Sequence, residues 1–316
     1  KVGGVPTQAS EFEGNGSAGE PTSNENAATV AHVEEWGVAL SPSQVPDRLV
    51  SPVSAEVGEG IWLRTATLVN GTTAIRIARI RPDTEHTSYY ATIAWFDSRL
   101  LAFAQVPGTD VPEGNYDHGT GMVPDELRPF YVAGLNGGFL MRDSQGGYVL
   151  GDQVVKKLVV GKATLVTYTD GTLDVLKWGR DKPAKQIQAA RQNLTLMVDG
   201  SISQVQDESQ SKWGWVWQGV GSGKNLVWRS SIGVRADGTV VYCIGPVLSA
   251  KSLADMMVRA GAVRAMPLDM NSAYANGFLY GNYAPGKRID PNIYREPDRF
   301  WVPSERDFVA VYAKSP

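Results

Sequence analysis

Short apolar runs, separated by glycine-bearing turns, recur along most of this chain. The clearest pair is Ile61 to Val69 and Thr73 to Ile80. Asn70-Gly71 lies between them, and that dipeptide tolerates the positive φ angles of a type I′ hairpin turn. Tyr89 to Phe96, Leu100 to Val106 and Tyr131 to Leu135 read as three further strands. Thr164 to Thr169 and Thr172 to Trp178 flank Asp170-Gly171 and predict another hairpin. The stretch from Trp228 to Tyr280 is the most densely patterned. Trp228 to Arg235 and Thr239 to Gly245 flank Asp237-Gly238 and predict a third hairpin. Leu253, Met256, Met257 and Ala260 then fall at helical spacing. Ser249 is placed to cap that helix and Gly261 to end it in a left-handed conformation. Val263 to Leu268 is a short strand that delivers Asp269 at its C-terminal end. Ala184 to Arg191 predicts a second helix and Phe308 to Tyr312 a last strand. The tail after Gly281, rich in Pro and Arg, reads as a surface wrap. Together these elements predict an α+β fold of mixed, mostly antiparallel sheets with few helices. The hairpin–helix–strand stretch is the candidate catalytic block.

Composition divides the chain further. Residues 1–31 are poor in apolar side chains and rich in Gly, Ser, Asn, Glu and Thr. Such a segment cannot bury enough surface to offset its chain entropy, so it reads as a flexible linker. Residues 32–130 form a β-rich N-terminal region, and residues 131–316 carry the candidate chemistry. The 316 residues are 42% apolar and 20% charged, an ordinary globular balance. The net charge of −3 gives no footprint for nucleic acid or an anionic membrane. No apolar stretch is long enough to span a bilayer. Cys243 is the only cysteine, so it forms no intrachain disulfide, and its apolar neighbours mark it as a small buried hydrophobe. The chain opens on Lys1, which reads as a trimmed or mature form. The linker composition suits a domain exported to the cell envelope or outside it. No His, Cys, Asp or Glu grouping has metal-ligand spacing, and no cofactor motif is present.

Several stretches invite chemistry. The loop from Pro107 to Pro129 is long and carries Asp117-His118. Trp213, Trp215 and Trp217 alternate, which puts three indoles on one face, either as a sugar-stacking platform or as a core face. Asp269 stands at a strand end, where α/β folds commonly place functional groups.

Arg229-Ser230-Ser231-Ile232-Gly233, Asp237-Gly238, Leu253-Ala254, Gly261 and Leu268-Asp269 with Ser272 follow one another in a recognisable order. Upstream lie Asn136-Gly137-Gly138-Phe139 and the stretch Arg191 to Gly200. In order and spacing these segments resemble the phosphodiester glycosidase family over roughly Val132 to Tyr280. The resemblance implies hydrolysis of a sugar-1-phosphodiester in an exported or cell-envelope glycan. It departs at Met270-Asn271, where the family has Gly-Gly. Asn271 can adopt a left-handed conformation; Met270 cannot do so easily.

Breaking a sugar–phosphate bond at the anomeric carbon calls for a carboxylate near that carbon and for cations and N–H donors around the phosphate. Under the resemblance, Asp269, Arg229 and Asn136 are the candidate catalytic residues. Gly137, Gly138, Arg142, Asp143, Asp152, Asn271, Ser272, His118 and Trp215 are candidates for substrate binding. Two other classes stay open. One is a glycan-binding module using the same cleft, which the Met270-Asn271 departure favours. The other is a conventional glycosidase, which needs a pair of carboxylates.

Overall fold

The computed structural model describes residues 45–206, 213, 226–281, 283 and 286–314. The segment read as a linker, and Trp215 and Trp217 of the indole triplet, lie outside the described residues.

Three larger sheets and a two-stranded ribbon make up the structure. The first sheet has eight strands, in the order Leu63–Arg64, Ile75–Ile80, Ala91–Phe96, Val240–Leu248, Val227–Arg235, Ala262–Met270, Val198–Asp199 and Ile202–Ser203. The second has five: Lys287–Arg288, Gly277–Leu279, Tyr131–Asn136, Phe308–Ala313 and Leu101–Val106. The third also has five: Leu173–Lys177, Ala163–Tyr168, Ile187–Gln192, Tyr148–Leu150 and Gln153–Lys156. Neighbouring strands within them pair antiparallel. The sheets run across residue 130: Ala91–Phe96 pairs with Val240–Leu248, and Leu101–Val106 with Phe308–Ala313.

The predicted hairpins form. Asn70 and Gly71 take φ of 49° and 74°, the left-handed pair that a type I′ turn requires. Side-chain alternation along Val240–Leu248 sorts its residues between two cores. Val240, Tyr242 and Ile244 pack with Phe278, Phe308 and Leu135. Val241 and Cys243 face the other way, towards Leu253, Met256 and Met257 of the helix Ala250–Arg259. The eight-stranded sheet thus carries the helix on one face and the central apolar core on the other. The helix starts where its cap predicts. Ser249 Oγ accepts the Ser252 N–H at 3.0 Å, and Ser252 Oγ returns the bond to the Ser249 N–H at 3.0 Å. Gly261 follows with φ of 81°.

Two expectations need correction. Ala184–Arg191 is not a helix; Ile187–Gln192 is a strand hydrogen-bonded on both sides, to Ala163–Tyr168 and Tyr148–Leu150. Two neighbours that need its N–H and C=O groups outweigh the helical preference of Ala and Gln. The tail after Gly281 is not a mere surface wrap. It buries Ile289, Ile293 and Phe300, and Phe300 stacks on Phe308 with ring centroids 4.5 Å apart. The Pro107–Pro129 loop likewise buries Val111, Val123 and Leu127 and runs into a 3₁₀ turn, Asp125–Phe130.

Ser249→Ala removes the capping hydroxyl and leaves the Ser252 N–H without its partner. The expected loss is about 1 kcal/mol, read as a lower denaturant midpoint at unchanged m-value. An unchanged midpoint would mean that packing alone fixes the helix start.

Candidate active site

The site begins with an irregularity in the eight-stranded sheet. Arg229 lies opposite Met270, yet Ser231 lies opposite Pro267. Two residues of one strand therefore span three of the other, which is a β-bulge. A bulge interrupts the alternation of faces. Met266 and Leu268 point into the central core, and Asp269, the next residue, points to that same side instead of towards the helix. The interrupted ladder leaves backbone groups to be met elsewhere. Asn193 Nδ2 donates to the Pro267 carbonyl at 2.8 Å, and the Asp269 N–H donates to the Gly137 carbonyl at 3.0 Å. The bulge thereby joins the Asn136-Gly137-Gly138 loop to the strand that carries Asp269.

Asn136 locks that junction. Its Oδ1 accepts from Tyr242 Oη at 2.7 Å, Ser230 Oγ at 3.0 Å and the Asn276 N–H at 3.1 Å. Its Nδ2 donates to the Gly137 carbonyl at 3.0 Å. The side chain that the sequence suggested as catalytic is committed to holding four elements together. The two glycines are needed for close approach. A Cβ on Gly137 would lie 2.7 Å from Asp307 Oδ2, and one on Gly138 would lie 3.2 Å from Asn193 Cγ. The Gly137 N–H, expected to face a phosphate, instead donates to the Asp307 carbonyl at 3.1 Å.

The resulting cleft is lined by Asn136, Gly137, Gly138, Asp269, Tyr274, Asn276, Arg299, Phe300, Arg306 and Asp307. Asp269 is 6% exposed. Its Oδ2 is ion-paired with Arg306 Nη2, and its Oδ1 accepts the Met270 N–H at 2.8 Å. Burial pushes its carboxyl up to about 7; the Arg306 guanidinium and the Met270 N–H oppose that rise, and Asp307 adds to it. Arg306 also donates to the Gly138 carbonyl at 3.0 Å and lies over the Tyr274 ring, 4.8 Å from its centroid. Arg191 reaches the far side of the Gly-Gly loop. Its Nε donates to Asp307 Oδ2 at 3.1 Å and its Nη2 to the Phe139 carbonyl at 2.5 Å. Asp307 is also raised by burial, against the pull of Arg191 and Arg306. Burial and the neighbouring Arg295 lower Arg299. Four buried polar atoms of cleft residues have no hydrogen-bond partner among the described residues: Asn276 Oδ1, Asp307 Oδ1, Arg299 Nε and Arg306 Nε. Two acceptors and two donors of cleft residues are therefore unmet by protein groups among the described residues.

Of the residues singled out in the sequence, Asp269, Asn136, Gly137 and Gly138 come together here. Arg229 does not. It and Ser230 occupy opposite faces of their strand, and Ser230 takes the cleft side, its Oγ within hydrogen-bond distance of both Asn136 Oδ1 and the Asp269 carbonyl, 2.9 Å from the latter. Arg229 instead donates to the carbonyls of Leu248 at 2.9 Å and Trp213 at 3.1 Å. Trp213 is buried, with its Nε1 on the Leu196 carbonyl at 3.0 Å. Arg142 and Asp143 are exposed on the short helix Met141–Ser144, and Asp152 is exposed in the turn after Tyr148–Leu150. His118 is half-buried in its own loop, its Nδ1 2.9 Å from the Gly108 carbonyl and its ring 4.0 Å from that of Tyr116. Asn271 adopts φ of 85°, the conformation anticipated for it, and its Oδ1 accepts the Ala273 N–H at 3.0 Å. Ser272 sits beside it in the turn, its Oγ 3.5 Å from Asn271 Oδ1. The sequence reading missed Arg191, Arg299, Arg306, Asp307, Tyr274 and Asn276.

Residues 130–269 match the phosphodiester glycosidase family, so the resemblance read from the motifs holds over that span. Among solved structures, the catalytic domain of zebrafish N-acetylglucosamine-1-phosphodiester alpha-N-acetylglucosaminidase, auto-inhibited by its pro-peptide, aligns at 14% identity. That alignment covers 77% of this chain and 82% of the zebrafish chain, with a TM-score of 0.48. A hypothetical protein from Synechocystis aligns at 12% identity over 78% of this chain and 64% of its own, with a TM-score of 0.50. The second likeness is one of fold. A search of curated proteins gave no match.

The raised carboxyl of Asp269 has a consequence for stability. Its ordinary value is 3.8 and its folded value about 7, so the folded state binds this proton more tightly than the unfolded one. Stability from this group is present at low pH and is lost as pH rises from about 4 through about 7. Asp269→Asn does not titrate. Unfolding free energies measured from pH 4 to 8 should therefore move in favour of the mutant relative to wild type. A difference that stays constant across that range would contradict the assigned environment.

Proposed function

We propose that this chain is a hydrolase of the phosphodiester glycosidase type, cleaving the bond between an anomeric carbon and a phosphodiester. The observation that carries the reading is Asp269, held in a nearly closed cleft against Arg306 and the Gly-Gly loop, at the end of the span that matches the family. Cleavage at an anomeric carbon develops oxocarbenium character, which a fixed carboxylate stabilises. The leaving group is a phosphate monoester whose second pKa is about 6, so it departs without strong proton donation. It does need cations. Arg306 and Arg299 line the cleft, and each has an Nε–H without a protein partner among the described residues. Arg306, not Arg229, is the cation beside the reacting centre in this reading. Tyr274, 39% exposed at the rim, offers a ring for a sugar to rest on. A sugar phosphodiester of an exported or cell-envelope glycan suits these groups and the polar composition of residues 1–31.

The Met270-Asn271 departure favours a second reading, a binding module without turnover. Against it, Asn271 supplies the left-handed backbone that a glycine would give, and the Met270 N–H is used on Asp269. Cleft carboxylates with no cation would have favoured a conventional glycosidase; here arginines accompany them.

The test is a screen of sugar-1-phosphate methyl esters, N-acetylglucosamine among the sugars, beside aryl glycosides. Wild type should turn over a phosphodiester. Asp269→Asn should lower kcat by at least about a hundredfold with little change in KM, while its circular dichroism stays that of wild type. Wild-type turnover in the mutant would remove Asp269 from the mechanism. Binding without turnover by wild type would replace the hydrolase with the binding module.

A further inference from the structure

The two carboxylates of the cleft are held differently. Asp269 has a partner on each oxygen: Arg306 on Oδ2 and the Met270 N–H on Oδ1. Among the described residues, Asp307 has a partner from another residue on one only. Its Oδ2 accepts from Arg191 at 3.1 Å, whereas its Oδ1 is buried and has none among the described residues. A buried carboxylate oxygen without a donor is costly, and each such group in a native structure calls for an explanation. The position is also held closely. Asp307 directly precedes Phe308, which lies opposite Asn136 in the sheet, and its carbonyl accepts the Gly137 N–H. The carboxyl passes Gly137 at a distance that any side chain there would close. Asp307 lies on the wall shared by the cleft and a second cavity behind it, which is lined by Gln105, Leu165 and Met266 among others.

We propose that Asp307 is a second catalytic carboxylate, whose Oδ1 takes the proton of the water that attacks the anomeric carbon. The proposal rests on the sugar-phosphodiester reading above. The water oxygen bonds to the anomeric carbon, and the bond from that carbon to the phosphate oxygen breaks. Its electron pair leaves on the phosphate monoester, and the water proton passes to Asp307 Oδ1 and then to solvent. Labour is thus divided. Asp269, held by a partner on each oxygen, supplies a fixed negative charge, and Asp307 supplies the cleft carboxylate oxygen that has no donor among the described residues.

A base acts only when ionised, so kcat/KM should fall at acid pH. The groups facing Asp307 are Arg191 from the strand Ile187–Gln192 of another sheet, Asp269 and Arg306 in the cleft, and Tyr116 and Tyr148 from the loop and strand beyond. Burial raises Asp307 and the two arginines oppose it, so the acidic limb lies above the ordinary range of an aspartate.

The experiment uses the full chain and the sugar-1-phosphate methyl ester turned over fastest in the screen. Asp307→Asn should lower kcat by about a hundredfold or more, with KM within a few-fold and the acidic limb altered. In Asp307→Ala, sodium azide should restore turnover and yield a glycosyl azide, because azide needs no base. A structural carboxylate would give neither. Arg191→Gln, in which Asp307 is kept, should move the acidic limb to higher pH; because Arg191 also acts on Asp269, azide is added at the acid end, where it should restore turnover if the limb is that of the base and should not if the limb is that of Asp269. Wild-type kcat in Asp307→Asn, folded Asp307 variants without azide rescue, or an unmoved limb in Arg191→Gln would each overturn the assignment while leaving the hydrolase reading intact. Absence of wild-type turnover would remove both.

Discussion

A carboxylate taken out of water is the constraint on which the rest of this site depends. An ionised side chain as enclosed as Asp269 costs several kcal/mol unless compensated. The fold supplies the compensation from segments far apart in sequence: Arg306 on one oxygen and the Met270 N–H on the other. Those partners can meet only because the bulge turns Asp269 away from the helix and into the core side of the sheet. The bulge in turn stands because Asn193 and Gly137 accommodate its displaced backbone groups. Asn136 then ties Ser230, Tyr242 and Asn276 into the same junction. Core packing, a backbone irregularity and a buried charge are one arrangement.

That arrangement explains which residues touch the cleft. The Gly-Gly loop brings no cation of its own; its lack of side chains lets Asp307 pass close by. Positive charge comes from Arg191 in one five-stranded sheet and from Arg299 and Arg306 in the chain leading to the last strand. Burial pushes both carboxylates upward, and the arginines keep them from rising further. A cleft so balanced suits a reaction in which a cationic carbon and an anionic leaving group form together.

Much of the frame was legible from periodicity and turn chemistry. Asn70-Gly71, Asp237-Gly238, the Ser249 cap and Gly261 act locally, and each does what its residue type dictates. Asp269 at a strand end was legible for the same reason. The bulge had one local signal, Pro267, which cannot donate to a ladder and within sheets is confined to edges, strand starts and bulges; the register it produces depends on the partner strand. Arg229 lies outside this cleft for a related reason: adjacent residues face opposite ways, and only the register tells that Ser230 takes the cleft side. Arg306 and Asp307 left no local signal. They follow a tail without helical or strand periodicity, and Arg306 meets Asp269 across 37 positions of sequence. The faint available hint was Arg-rich composition beside a predicted last strand. Ile187–Gln192 shows the limit of propensity, since its strand character comes from neighbours on both sides.

The central claim is that this cleft breaks the bond at the anomeric carbon and leaves the phosphorus untouched. Hydrolysis of a sugar-1-phosphodiester in ¹⁸O-labelled water tests it directly, with the products weighed by mass spectrometry. The account predicts that the label enters the sugar hydroxyl and that the phosphate monoester carries none. Label in the phosphate would mean attack at phosphorus, and would contradict the roles given to Asp269 and its arginine.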